Sequence, residues 1–160
     1  MQKYLGENYY FLVSASLFES KYKGIDKIDR NTVFNTNFIV NFLGGYEHKV
    51  GKNNLAGIDI KTTWAGGKRY VPIDLEQSVN YPVYDWNNAY ARRRSDYFTL
   101  NTSIYFTLNR PKYNLQIMAD IQNMTNHKNI FIERFDPTTG GIRYEYQLGF
   151  LPSGKIKIEF

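Results

Sequence analysis

The sequence predicts an all-β fold of about six antiparallel strands, and two observations support this prediction. Apolar and polar side chains alternate residue by residue over long segments, which places them on opposite faces of a strand. Aromatic residues make up 17% of the chain, with 14 Tyr and 11 Phe, and these residue types favour strands. No segment shows the apolar spacing of a convincing helix.

The alternation predicts three strands in the first half of the chain. In residues 9–17, apolar side chains alternate with polar ones that include two serines. In residues 34–42, phenylalanine and valine alternate with asparagines, and in residues 56–64 the partners are charged or hydroxyl side chains. Each segment therefore has one apolar and one polar face.

The second half predicts three more strands, at residues 97–109, 114–122 and 155–160. The first is the clearest, because its apolar face is interrupted only by Thr102. That face consists of Phe98, Leu100, Ile104, Phe106 and Leu108. Thirteen residues are long for a strand of a globular protein, yet they suit a tilted strand that crosses a membrane.

The predicted connections alternate between short and long. Residues 43–54 contain the turn signal VGKNN, and residues 109–113 form a tight turn with Pro111. Residues 20–32, residues 66–96 and the stretch after Asn123 are longer. Bacterial outer-membrane barrels have short periplasmic turns and long external loops. We therefore expect an antiparallel up-and-down transmembrane β-barrel segment, about six strands of a larger barrel.

The region between the last two predicted strands allows two interpretations. Residues 129–135 and 141–149 look like an additional hairpin around the sequence DPTTGG. The two segments could project above the membrane as an external hairpin. Alternatively, they could be two further spanning strands, which would raise the strand count by two.

Composition excludes several classes. The chain has no cysteine, so it has neither a disulfide framework nor a thiolate metal site. Its net charge of +5 comes from scattered residues, which argues against a nucleic-acid partner. No apolar stretch reaches the ~18 residues of a transmembrane helix. The N-terminus also lacks the apolar core of a signal peptide, so we expect residues 1–160 to belong to a longer exported protein.

Several segments resemble a known family in their order and spacing. They are SLFESKYKG, NTVFNTNFIVNFLGG, AGGKRYVPID, YARRRSDYFTLNTSIYF, ADIQNMTNHKN and the terminal KIKIEF. From about residue 9 to residue 160, the chain resembles the C-terminal barrel strands of Bacteroidetes-type TonB-dependent receptors. The resemblance implies a barrel of about 22 strands with a plugged lumen in the bacterial outer membrane.

The resemblance also implies a function and a set of partners. Such receptors import scarce ligands with energy passed to the plug from an inner-membrane complex. The plug and the earlier strands are absent from this chain, so they are its expected partners, together with membrane lipid. The ligand stays open between siderophore, glycan, peptide and cobalamin, and the resemblance implies no cofactor.

The connection at residues 66–96 is the candidate ligand-binding loop. Loops of this length are functional or disordered in most proteins, and its aromatic content argues against disorder. The candidate residues are Tyr70, Tyr81, Tyr84, Trp86 and Tyr90. Their rings could stack on a ligand, with Tyr84 and Trp86 the most favoured. The alternative is a self-packed lid that contacts only neighbouring loops.

Two further features have candidate roles at the membrane. Arg92, Arg93 and Arg94 could bind phosphates of lipopolysaccharide, since guanidinium binds phosphate bidentately. They could instead be solvated or pair with carboxylates of the barrel or plug. Phe160 is the candidate signal for the barrel-assembly machinery, an expectation from the resemblance. The alternative is an ordinary interfacial aromatic.

The sequence predicts no catalytic or metal site. The only histidines, His48 and His127, lie at a turn and at a strand end, away from the serines of the predicted polar faces. Loop carboxylates could hold calcium, but their spacing matches no defined loop and solvation is the favoured interpretation. They are Asp26, Asp29, Asp74, Glu76 and Asp85.

Polar residues of the strands are expected to point into the lumen and to bond with the plug or with one another. They are Asn35, Asn37, Asn101, Gln116 and Asp120. A second class stays open, because alternation alone does not say which face points inward. It is a soluble β-barrel or sandwich that binds a small apolar ligand.

Overall fold

The structure is a computed structural model that describes residues 2–3 and 8–160. Apart from a 3-10 turn at Trp86–Asn88, the regular structure of those residues consists of thirteen strands. They are β1 (Gln2–Lys3), β2 (Tyr9–Leu17), β3 (Lys21–Lys23), β4 (Asp29–Asn31), β5 (Phe38–Val50), β6 (Asn54–Ala65), β7 (Arg69–Tyr70), β8 (Arg92–Arg93), β9 (Tyr97–Arg110), β10 (Tyr113–Gln122), β11 (Ile130–Asp136), β12 (Gly141–Tyr146) and β13 (Leu151–Glu159).

Seven strands form the main sheet, in the order β1-β2-β5-β6-β9-β10-β13. Every neighbouring pair in it is antiparallel, which confirms the predicted all-β, antiparallel fold. Three two-stranded ribbons lie outside it, formed by β3 with β4, β7 with β8, and β11 with β12. Within the described residues the main sheet is open, because β1 and β13 each have one neighbour.

The hairpin between the last two long strands is not part of the main sheet. β10 pairs directly with β13, and β11 pairs with β12 in its own ribbon. Of the two interpretations left open by the sequence, the structure therefore supports a separate hairpin. The described chain keeps six long strands in the main sheet, as the sequence predicts.

The prediction of a strand at residues 34–42 is wrong in its bounds. The observed strand is β5 (Phe38–Val50), and the turn that follows occupies residues 51–53. Gly44 and Gly45 interrupt the alternation without interrupting the backbone pairing with β2 and β6. Asn35 and Asn37, expected on the lumenal face, lie before β5, and Asn37 has a φ of 70°. That left-handed conformation suits asparagine and is foreign to a strand.

The last strand also differs from its prediction. It was expected at residues 155–160, whereas β13 (Leu151–Glu159) begins four residues earlier and ends before Phe160. The first half of β13 is not recognisable from the sequence because it contains Pro152 and Gly154, and both residue types are rare within strands. Pro152 is compatible with the pairing because β13 lies at the edge of the sheet, where one side of the strand has no partner.

The register places apolar side chains together on one face of the main sheet, which we call the apolar face. Phe106 lies between Ala56 and Ile117, and Ile117 lies opposite Ile156. Nothing covers this face within the described residues: Ile104 is 55% exposed and Ile156 is 70% exposed. The only buried hydrophobic side chains in that part of the chain are Tyr105 and Phe135.

The opposite face, the polar face, contains a row of small or polar residues that crosses all six long strands. The row is Tyr10, Gly45, Asp59, Ser103, Asp120 and Ser153. Asn101, Gln116 and Asp120 lie on this face, as the sequence predicts. The two faces therefore differ sharply in chemistry while the same backbones carry both.

Candidate functional site

All three long connections leave the main sheet at the same end, which we call the loop end. The first connection is residues 18–37, the second is residues 66–96 and the third is residues 123–150. At the opposite end, the described residues form the short turns at residues 51–53 and 111–112. A candidate site that involves loops must therefore lie at the loop end.

The second connection has a defined fold of its own. β7 pairs with β8, and Ile73 pairs with Tyr84 further out. The Asp85 carboxylate accepts hydrogen bonds from the backbone N–H groups of Asn87 and Asn88, at 3.1 and 3.2 Å. These bonds cap the 3-10 turn that carries Trp86, and hydrogen bonding to Asn88 lowers the pKa of Asp85. The aromatic residues are thus attached to an ordered ribbon.

Arg69 joins the second connection to the first. Its Nε donates to the carbonyl oxygen of Asn35 at 3.0 Å. Its Nη1 donates to the carbonyl oxygens of Tyr90 and Ala91, at 3.2 and 3.1 Å. One guanidinium therefore satisfies three backbone acceptors that would otherwise need water, and it fixes the base of β7 against the first connection.

Arg94 joins the second connection to the third. Its Nε lies 2.8 and 2.9 Å from the two carboxylate oxygens of Glu133, and its Nη1 donates to the carbonyl oxygen of Phe131 at 3.0 Å. The pair is shielded from solvent, with side-chain exposures of 14% for Arg94 and 8% for Glu133. The guanidinium also lies 5.6 Å from the ring centroid of Tyr70, within cation–π range.

Asn129 holds the third connection against the start of β9. Its side-chain Oδ1 accepts from the backbone N–H of Phe98 at 2.9 Å, and its Nδ2 donates to the Phe98 carbonyl at 2.8 Å. The amide thus pairs with one backbone residue in the way that a neighbouring strand would. Because this site is buried, loss of the amide would leave both backbone groups of Phe98 unpaired.

A cavity of about 350 Å³ lies where the three connections meet. Four aromatic residues of the second connection line it: Tyr70, Tyr84, Trp86 and Tyr90. Aliphatic side chains complete the wall, among them Val33 of the first connection and Ile132 and Ile142 of the third. The remaining polar lining consists of Arg69, Arg94 and Glu133. Its volume lies within the range of small-molecule sites.

The structure brings together four of the five predicted ligand-loop residues. Tyr84 and Trp86 are neighbours, with ring centroids 6.4 Å apart. Tyr81 does not line the cavity and is 71% exposed. Arg69, Glu133 and Ile142 are cavity residues that the sequence did not indicate. No local pattern identifies them, because their contacts are with residues distant along the chain.

The three consecutive arginines have different surroundings. Arg92 is exposed, and Arg93 lies 3.7 Å from Asp96 while its Nη1 donates to the Thr36 carbonyl at 3.4 Å. Arg94 uses its charge in the pair with Glu133, which lies in the ribbon of β11 and β12 outside the main sheet. Contact with lipopolysaccharide stays a prediction, and Arg92 and Arg93 are the residues whose exposure allows it.

The remaining candidates lie apart from the cavity. Phe160 follows β13 and is fully exposed. His48 stacks on Tyr46, and the ring of His127 meets Phe98 edge-on. Asp26 pairs with Arg30 at 2.6 Å, which lowers the pKa of Asp26 through their hydrogen bond. Among the described residues, no three His, Cys, Asp or Glu side chains are grouped to hold a metal ion.

Side chains on the polar face bond across the strands, and the two tyrosine bonds each pass over one intervening strand. The Tyr10 hydroxyl donates to Asp59 at 2.9 Å, and the Tyr105 hydroxyl donates to Glu47 at 2.7 Å. Ser103 donates to Asp120. Each tyrosine ring lies over a cross-strand glycine: Tyr10 covers Gly45, and Tyr105 covers Gly57. A Cβ at Gly57 would lie 2.2 Å from the Tyr105 ring, so the glycine makes room for it.

Comparison with known proteins yields no relatives. The chain matches no protein-family model, no curated protein and no solved structure. A search of the described residues also finds no helix long and apolar enough to cross a membrane.

Proposed function

We propose that this chain forms the last strands and outward-facing loops of a TonB-dependent receptor in a bacterial outer membrane. The observation that supports the proposal best is the contrast between the two faces of the main sheet. An uncovered apolar face runs across six strands, while the polar face is internally hydrogen-bonded. Large uncovered apolar surfaces mark contact with lipid or with another protein.

The height of the apolar face suits a bilayer. In β9, apolar residues extend from Phe98 to Leu108, ten residue steps, or about 33 Å along the strand at ~3.3 Å per residue. A strand tilt of about 40° reduces this length to about 25 Å along the membrane normal, which is the height of the apolar band in such barrels.

Aromatic residues lie near the ends of that band. At the loop end, Phe38 and Trp64 meet edge-on with centroids 5.0 Å apart, and Phe98 lies opposite Trp64. At the other end, Tyr113 begins β10 directly after a turn. Girdles of aromatic residues at both interfaces are typical of outer-membrane barrels. The alternation of two short turns with three long connections supports the same topology.

The open edges of the main sheet support the inference that other strands complete the barrel. Among the described residues, β13 has no neighbour on one side over its nine residues. Unpaired edges invite association with other strands, and closure of a barrel removes them. The partners in this proposal are the remaining barrel strands, the plug, outer-membrane lipid with its lipopolysaccharide, and the assembly machinery that recognises Phe160.

In the proposed receptor, the cavity at the loop end captures the ligand, and the polar face contacts the plug. Transport itself requires a plug and an energy-transducing complex. The aromatic side chains of the second connection then act as a binding surface on an ordered ribbon. Their role in capture is separable from the membrane topology, so the two are tested separately.

Single cysteines distinguish the membrane proposal from the soluble β-barrel alternative. The chain has no native cysteine, so Ile104→Cys, Ile117→Cys, Ser103→Cys and Gln116→Cys each give one label site within it. The labelled full-length protein is reconstituted in vesicles whose lipid tails carry a fluorescence quencher. We expect strong quenching at positions 104 and 117 and weak quenching at 103 and 116.

Equal quenching at neighbouring positions would reject the orientation of the two faces. The soluble alternative makes the opposite prediction in water, where the 160-residue chain would be a monodisperse monomer without detergent. We expect the isolated chain to aggregate under those conditions, because both its apolar face and its edges are uncovered.

A further inference from the structure

The polar lining of the cavity is already paired within the protein. The charge of Glu133 is matched by Arg94, whose guanidinium also bonds the Phe131 carbonyl. Arg69 uses Nε and Nη1 on three backbone carbonyls and directs Nη2 towards Asn37 Oδ1 at 3.5 Å. Four of the five guanidinium donors are thus occupied by the protein itself.

This pairing decides which ligands the cavity accepts. A carboxylate or phosphate that entered would have to displace Glu133 from Arg94, or a set of carbonyls from Arg69, and would leave those groups unpaired. Unpaired buried carboxylates and carbonyls are costly, so binding of an anion would be weak. A cation would face a lining with a net positive charge, because it contains two arginines and one glutamate. The lining therefore disfavours both signs of charge.

The remaining walls favour a flat ring. Tyr70, Tyr84, Trp86 and Tyr90 provide aromatic surface, and aliphatic side chains of all three connections provide the rest. Within the described residues, the hydroxyls of Tyr70, Tyr84 and Tyr90 have no hydrogen-bond partner in the protein. Each hydroxyl can donate or accept a bond at the edge of a ligand.

We propose that the cavity binds an uncharged ring compound that has one apolar face and polar groups at its edge. A single sugar ring and a small neutral aromatic alcohol share this chemistry, and the cavity of about 350 Å³ is at the small end of ligand sites. The inference rests on the proposed function for the role of the site, and it selects among the ligand classes that the sequence left open. It disfavours anionic siderophores for this cavity.

The test uses the full-length protein in lipid nanodiscs and two matched pairs of probes. Methyl glucoside is compared with methyl glucuronide, and benzyl alcohol with benzoate, by calorimetry. In whichever pair binds, we expect the neutral member to bind at least tenfold more tightly than its carboxylate. The pair that responds identifies the ligand as a sugar or an aromatic compound. A carboxylate that binds as tightly as its neutral partner would overturn the proposal.

Glu133→Gln provides a second, independent test because it frees the guanidinium of Arg94. We expect this variant to bind the carboxylate probe at least tenfold more tightly than the wild-type protein does. Glu145→Gln is the matched control, since Glu145 lies on the same hairpin and pairs with Arg134 outside the cavity. An unchanged carboxylate affinity in a folded Glu133→Gln variant would contradict the charge argument.

Removal of aromatic side chains from the cavity tests their role in binding. Trp86→Ala with Tyr84→Ala should abolish binding of the neutral probe, whereas Tyr81→Ala, at an exposed position outside the cavity, should retain it. Heat-modifiable gel migration of each variant reports insertion independently. If the wild-type protein inserts normally but binds neither neutral probe, this inference is rejected and the membrane proposal stays intact. If the wild-type protein binds the neutral ring but does not insert, the membrane proposal is rejected and this inference stands.

Discussion

The two faces of the main sheet differ in how their side chains interact. Side chains on the apolar face, such as Ile104 and Ile117, remain about half exposed and have hydrophobicity as their shared property. Side chains on the polar face have specific cross-strand partners, as Tyr105 has with Glu47. Because neighbouring residues on one strand belong to opposite faces, a shift of one residue in the pairing would exchange both sets. Neighbouring residues therefore provide matched experiments.

The largest expected difference between the faces comes from a buried charge. Ile104→Lys should destabilise the folded protein by about 2–4 kcal/mol if position 104 lies near the middle of the bilayer. Ser103→Lys, which points to the polar face beside Asp59 and Asp120, should cost less. Heat-modifiable migration and urea unfolding from vesicles measure both. Equal losses would show that the two faces do not differ in their contact with lipid.

A smaller effect is expected from the space that glycine leaves on the polar face. Gly57→Val would force the Tyr105 ring away, and overpacking of this kind costs about 1–3 kcal/mol. Gly154→Val is the control, because that glycine lies on the apolar face and the nearest atom to its added Cβ would be 4.0 Å away. If both valine variants lower the free energy of urea unfolding equally, packing against Tyr105 is not the cause of the loss at position 57.

Removal of one hydroxyl tests the polar face more finely. Tyr105→Phe keeps the ring over Gly57 but loses the hydrogen bond to Glu47, which should cost about 0.5–1.5 kcal/mol. Tyr46→Phe on the apolar face removes a hydroxyl to which the described residues make no such bond, so it should be close to neutral. The comparison is made by unfolding in vesicles, and a larger loss at Tyr46 would reverse the assignment of the faces.

The smallest effect concerns the Asp26–Arg30 pair in the ribbon of β3 and β4, outside both faces. The hydrogen bond from Arg30 holds the pKa of Asp26 below its ordinary value of 3.8. A carboxyl with a depressed folded-state pKa stabilises the fold above its unfolded pKa, and this contribution is lost as pH falls through the folded value.

Amide exchange of the ribbon measures that contribution as a difference between wild type and Asp26→Asn, because intrinsic exchange rates then cancel. We expect greater protection in the wild type at pH 6 and convergence of the two proteins below the ordinary pKa of 3.8. Since both side chains are accessible to solvent, the effect should also weaken in high salt. A difference that persisted at full protonation would rule out the ion pair as its origin.

The fold could be predicted from the sequence where alternation is uninterrupted. β9 and β10 match their predictions to within two residues, because strand residues on opposite faces differ in polarity throughout. β5 and β13 could not be placed correctly, since Gly44, Gly45, Pro152 and Gly154 contribute no apolar side chain to the pattern. The bounds of both strands are set by backbone pairing with the neighbouring strand, and this pairing cannot be read from the local sequence.

The cavity was only partly predictable for a related reason. The high aromatic content of the second connection is evident from the sequence, and four of the five residues predicted from it line the cavity. Arg69 and Glu133 belong to it through contacts with residues 21 to 39 positions away along the chain. No periodicity marks such contacts, and a single sequence does not reveal which arginine pairs with which carboxylate.

The unequal turns at the two ends of the sheet have a consequence for the order of folding. Closing residues 66–96 costs about 2 kcal/mol more in chain entropy than closing residues 51–53, from the logarithmic dependence on loop length. The β5–β6 and β9–β10 hairpins, joined by turns of three and two residues, are therefore expected to form first as independent units. The arginine contacts between the long connections would then form last, so assembly of the sheet precedes completion of the cavity.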